Sequence, residues 1–157
     1  MSGKRVYLGV IAALLVVIAV LAWKFVVAGS TRPGDDGRTV VVLAPGERAL
    51  MLNEMRGFVA GLAQIADALS RDDMPAVATA SRALGAERAH DVPAAMLGKL
   101  PLEFKQLAFR VHGGFDTIAH DAANGATPKQ TLATVAGILQ QCAACHERYQ
   151  VGTPPPR

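Results

Sequence analysis

The feature that most limits how this chain folds is a run of 18 residues without a charge, Val6 to Trp23 (VYLGVIAALLVVIAVLAW). Lys24 interrupts the run, and Phe25 to Ala28 continue it. A helix needs about 20 apolar residues to cross the hydrocarbon core of a bilayer. Lys24, near the end, can extend its ammonium to the interface, and Tyr7 and Trp23 fall where interfacial aromatics belong. A secretory signal peptide has an apolar core of only about 7–15 residues, followed by a small-residue cleavage site. This run is longer, and Val27-Ala28-Gly29 is a poor cleavage site. Residues 1–29 are therefore expected to form an uncleaved membrane anchor.

The anchor also accounts for the charge. The 157 residues carry a formal net charge of +3, which alone would suggest an anionic partner. Lys4, Arg5 and Lys24 are the only charges in residues 1–30. Taking those three from the 16 Lys and Arg leaves as many bases as the 13 acids. Residues 31–157 are thus neutral, with no surplus to neutralise phosphates, so nucleic-acid binding is not expected. A content of 51% hydrophobic and 18% charged residues also argues against disorder.

Gly29 to Arg38 (GSTRPGDDGR) is polar and rich in glycine, and residues 30–44 read as a flexible linker. Only Thr39 to Leu43 resembles a strand. From Pro45 the pattern is helical. Met51, Met55, Phe58, Leu62, Ile65 and Leu69 form a stripe on one helix face. Asp72 and Asp73 offer an N-cap for a short second helix, about Met74 to Leu84, stopped by Gly85. Ala86 to Lys99 reads as irregular. Pro101 opens a third helix with apolar positions Leu102, Leu107, Phe109, Val111, Phe115 and Ile118, closed by Gly125. Thr127-Pro128 starts a fourth, with Leu132, Val135, Ile138 and Leu139 as its inner face, ending near Tyr149. The expected architecture is all-α: one transmembrane helix, then an up-and-down four-helix bundle over residues 45–151, then a Pro-rich tail, 152–157.

The only two cysteines lie in Cys142-Ala143-Ala144-Cys145-His146. Cys-x-x-Cys-His is the attachment signal of a c-type haem: two thiols form thioethers to the porphyrin and the adjacent imidazole reaches the iron. A thioredoxin-like dithiol needs a βαβ setting, which the helical pattern lacks. Structural zinc needs about four ligands, and no second Cys/His pair is suitably spaced. A disulfide across two residues would be strained and close almost no loop. At average usage such a string occurs by chance roughly once in a thousand chains of this length. One covalent haem c is therefore expected on Cys142 and Cys145, with His146 as proximal iron ligand. Basic residues on both sides of the anchor leave its orientation open. The motif decides it, because haem is attached on the outer face of an energised membrane. The haem domain is expected in the periplasm of a bacterium, held by a single span of the inner membrane.

Cys142 to Tyr149 (CAACHERY) resembles the C-terminal signature of the cytochrome c′ family, or class II cytochromes c, which is Cys-x-x-Cys-His-x-x-aromatic-Arg. Tyr149 matches the aromatic, while Gln150 stands where the family has a basic residue. The resemblance covers about residues 45–151 and is carried by the motif; the anchor departs from the soluble members. It implies a haem inside the bundle, Tyr149 packed near it, and an opposite axial position facing the first helix. In one subgroup an apolar residue covers that position and the iron binds small gases such as nitric oxide or carbon monoxide. In the other a Met ligates the iron and the protein moves electrons. The family's spacing between a basic residue and the distal cover fits Arg48 and Leu52, and Arg48 or Arg56 would pair with propionates. Met55, ahead of Met51, is the candidate sixth ligand, although Met in a helix stripe is commonly core packing. His112 and His120 on the third helix rank lower, and His90 reads as solvated.

The expected function is electron transfer by a membrane-anchored periplasmic cytochrome serving a redox partner protein. Gas binding at a five-coordinate haem and a haem subunit of a larger membrane complex are the alternatives. No nucleophile–base pair or phosphate loop is evident, so an enzyme is not expected. The resemblance allows a homodimer through the first two helices, but the first helix shows a single apolar stripe.

Overall fold

The computed structural model describes residues 2–89 and 92–155, so the reading of His90 and the last residues of the tail lie outside it. Helices account for most of the described chain. The first, α1 (Ser2–Ala22), continues as a π-helical segment, Trp23–Ala28. Its apolar side chains, from Val6 to Val26, are exposed. Gly3 to Ala28 is a stretch of 26 residues, roughly 39 Å long, enough to cross a bilayer or act as a signal sequence.

The end of this helix docks on the rest of the protein. Lys24 Nζ donates to the Gly29 carbonyl at 2.6 Å, and Lys105 Nζ donates to the Phe25 carbonyl at 3.1 Å. The Ser30 N–H donates to the Lys99 carbonyl at 2.7 Å. Gly29, at φ 66°, is required here: a Cβ would stand 2.5 Å from the Lys99 carbonyl oxygen and 2.7 Å from Pro101 N.

Residues 30–44, expected as a flexible linker, form part of the fold. Strands β1 (Thr31–Pro33) and β2 (Thr39–Val42) make an antiparallel hairpin, and β2 pairs in parallel with β3 (Tyr149–Gly152), Thr39 opposite Tyr149. This small sheet corrects the all-α expectation, which allowed a strand only at Thr39 to Leu43. Val41 and Leu43 are fully buried, so burying their side chains outweighs the local flexibility of the glycines before them.

The helices α2 (Pro45–Ser70), α3 (Met74–Arg82), α6 (Leu102–Ala123) and α7 (Pro128–Arg148) follow the sequence pattern closely, with α4 (Ala86–Ala89) and α5 (Ala94–Leu97) as single turns between α3 and α6. Glu47 accepts from the Ala44 N–H at the start of α2, Asp73 caps α3 through the Ala76 N–H, and Thr127 caps α7 through the Gln130 N–H. Gly125, at φ 88°, turns the chain between α6 and α7.

Two inner faces differ from expectation. On α6, Phe109 is exposed while Phe104, Val111, His112, Phe115 and Ile118 are buried. On α7, Leu132 and Leu139 are exposed; the inward residues are Thr131, Val135, Ile138, Cys142 and Cys145. Their steps of 4, 3, 4 and 3 follow the helical period better than the bulkier leucines do.

The buried residues form two cores. The first joins α2, α3, α6 and α7 through residues such as Phe58, Ile65, Val77, Phe115 and Ile138. The second joins the sheet to α2, α5 and α6 through Val41, Leu43, Met51, Met96, Leu100, Phe104 and Tyr149. Met55 packs against both; Cys142 packs on the first and Cys145 on the second.

Candidate functional site

A cavity of about 380 Å³ lies between the two cores, in the size range of ligand sites, ~300–1,000 Å³. Its wall takes Met51, Met55 and Phe58 from α2, Met96 and Leu97 from α5, Phe104, Leu107 and Val111 from α6, and Cys142, Cys145 and His146 from α7. Leu50 and Phe109, both more than half exposed, also line it and mark its opening. The lining is mostly apolar, with Glu54, Arg88, Lys105, His112 and Gln141 among its polar members.

The motif residues come together here because of their place on α7. Cys142 and Cys145 share its inner face, so both half-buried thiols meet the cavity. Both are free thiols. Burial pushes the Cys142 thiol above its ordinary value, and burial followed by the neighbouring Cys142 does the same to Cys145. The pair is therefore protonated at neutral pH, unlike a catalytic or redox-active thiolate. Among the described residues, no group of three or more His, Cys, Asp or Glu is placed to hold a metal ion by itself. His146 lies at the wall and is an exposed residue, and its carbonyl accepts from Arg38 Nη1 at 3.3 Å.

Tyr149 is buried behind Cys145 in the second core rather than on the cavity wall. Phe104 meets its ring edge-on at 5.5 Å, and its hydroxyl donates to Glu103 Oε2 at 3.1 Å. Gln150 has a structural role: its side chain donates to Asp36 Oδ1 at 3.0 Å and accepts from Arg38 Nη2 at 3.5 Å, locking the hairpin to the end of α7.

Met51 and Met55, the expected ligand candidates, both reach the cavity; Leu52 and Arg48 do not. Arg48 Nε points to the Val151 carbonyl at 3.4 Å, and Leu52 is half-buried outside the wall. His112 is only 6% exposed yet lines the cavity, while His120 is exposed beside Asp121.

Residues 86–99, irregular by their sequence, take part in the site. This stretch contributes Arg88, Val92, Pro93, Met96 and Leu97 to the wall. The available signal was Pro93-Ala94-Ala95-Met96-Leu97, a proline opening one helical turn that ends in apolar residues. Arg88 bonds both Glu54 oxygens at 2.8 Å, closing this edge of the cavity. Lys105 bridges the cavity and the end of the N-terminal helix, and burial lowers its pKa.

Comparison with family models, with curated proteins and with solved structures finds no match.

Proposed function

We propose that this chain is a membrane-anchored c-type cytochrome of the cytochrome c′ kind, a four-helix-bundle haem domain that carries electrons on the periplasmic face of a bacterial inner membrane. The observation that carries the proposal is the convergence of Cys142, Cys145 and His146 on one apolar cavity between the two cores. The residues fit the group. Cys142 and Cys145 would hold haem through thioethers, and His146 would ligate its iron. Bound haem supplies a one-electron Fe(III)/Fe(II) couple. The chain surrounds the site with apolar side chains that exclude water, and such burial sets a haem's potential.

Electron carriage is favoured over gas binding because three side chains able to ligate iron, Met51, Met55 and His112, stand on the wall. The exposed Leu50 and Phe109 beside the opening offer a partner protein an apolar contact. The docked exit of α1 holds this domain at a set position relative to the anchor.

The test is a reduced-minus-oxidised spectrum of the full chain produced with a c-type haem attachment system. The proposal expects a low-spin c-type spectrum in the membrane fraction, unchanged by carbon monoxide. A high-spin haem that binds carbon monoxide would move the function to gas binding, and a chain without haem would overturn the reading.

A further inference from the structure

We propose that His112 Nε2 is the second axial ligand of the iron, opposite His146, in place of Met55 or Met51. This assignment rests on the reading of a covalent haem in the cavity. His112 lies in the middle of α6 and is buried, yet it belongs to the cavity wall. Its Nδ1 stands 2.8 Å from the Leu84 carbonyl. A carbonyl can only accept, so Nδ1 carries a proton, and in the tautomer this bond selects the ring's lone pair lies on Nε2. Metal-ligating histidines commonly have this arrangement, with the second nitrogen fixed by a backbone carbonyl.

Nε2 has no hydrogen-bond partner among the described residues, and it is not sealed in the core either. The only sealed side-chain polar atom without a partner among those residues is Ser81 Oγ. For a residue 6% exposed, the space left to Nε2 is the cavity it lines. The ring is also held in place. Phe58 lies 5.1 Å from it at 53°, and Phe58 itself stacks on Phe115 at 5.7 Å and 14°. The register of the two helices places His112 close to the thiols. Arg110 reaches Gln141 at 3.3 Å, and the bare face of Gly114 lies against Ile138. His112 therefore falls between these levels, within one turn of Cys142 on the facing helix.

The methionines are less constrained. Met51 is packed among Leu43, Phe104 and Tyr149, and Met55 fills the seam between the cores, the ordinary use of a flexible thioether. An imidazole fixed at Nδ1 loses less freedom on ligation than either.

The experiment uses the full chain carrying its haem. Wild type should give a low-spin ferric spectrum without the weak red band of iron–thioether ligation. His112→Ala should turn the ferric form high-spin and open the ferrous form to carbon monoxide, and added imidazole should restore the low-spin spectrum, which a purely structural role would not explain. His112→Met should remain low-spin, gain the thioether band and shift the potential upward, because Met/His ligation raises it. Met51→Leu and Met55→Leu should leave the wild-type spectrum unchanged. A thioether band in wild type that either Leu variant removes, or a covalent haem whose spectrum ignores His112→Ala, overturns the assignment alone. Absence of covalent haem from the wild type overturns the cytochrome reading and the assignment with it.

Discussion

The Tyr149 hydroxyl donates to Glu103 Oε2 at 3.1 Å, joining the residue after α7 to the first turn of α6. Burial, and then this bond, hold the phenol above its usual pKa. Tyr149→Phe should cost about 1 kcal/mol, the net worth of one hydrogen bond. Tyr149→Ala should cost about 3–5 kcal/mol, because it also empties the space beside Phe104. Thermal unfolding of the two variants should show this order, with a larger drop for Ala.

The exit of the N-terminal helix depends on Gly29. Its backbone, φ 66° and ψ −157°, is nearly reserved for glycine, and a Cβ would press on the Lys99 carbonyl and Pro101 backbone. Gly29→Ala should destabilise the docked neck by about 1–3 kcal/mol. The readout is faster tryptic cleavage after Lys24 and Arg38. Gly137→Ala is the control: it sits in α7 with open space around it and should stabilise by roughly 0.5–1 kcal/mol.

Acid should loosen the start of α2. The Lys99 ammonium, then the Ala44 N–H, hold the Glu47 carboxyl below its ordinary pKa. A carboxyl lowered in the folded state contributes stability above its unfolded pKa and loses it as pH falls through the folded value. Unfolding temperature should therefore fall below about pH 4.5 more steeply in wild type than in Glu47→Gln. Equal slopes would mean that the Lys99 contact contributes nothing.

Cys142 and Cys145 in the haem-free chain should react slowly. Burial raises both thiols, so alkylation by iodoacetamide at neutral pH should be slower than for an exposed thiol. The rate should climb only as pH rises beyond the ordinary thiol range. Fast labelling at neutral pH would show that the cavity leaves them open to water.

Much of this fold is legible in residue spacing. The stripe on α2, the Asp73 and Thr127 caps, and the turn at Gly125 each rest on local chemistry, and the structure forms them as expected. The sheet is not legible, because Thr39 to Val42 pairs with residues more than a hundred positions away and β1 is only three residues long. The inner face of α7 is not legible from side-chain size, because Leu132 and Leu139 are larger than Thr131 and Cys142 yet exposed; the helical period sets which face turns inward. Of the expected site, Cys142, Cys145, His146, Met51 and Met55 reach one cavity. Arg48 and Leu52 fall outside it, since a spacing carried over from a family does not fix the rotation of α2. Arg88 and Met96 come from single helical turns too short to leave a periodic signal.

Covalent attachment of a haem to Cys142 and Cys145 is read from a pyridine haemochrome of the denatured, solvent-extracted full chain. One haem per chain should survive extraction, with the absorption of a two-thioether haem. Cys142→Ser should leave a single-thioether spectrum, and the double Cys→Ser variant should leave none. A wild-type chain that loses its haem to the solvent, or never carries one under conditions where other c-type cytochromes mature, would contradict it.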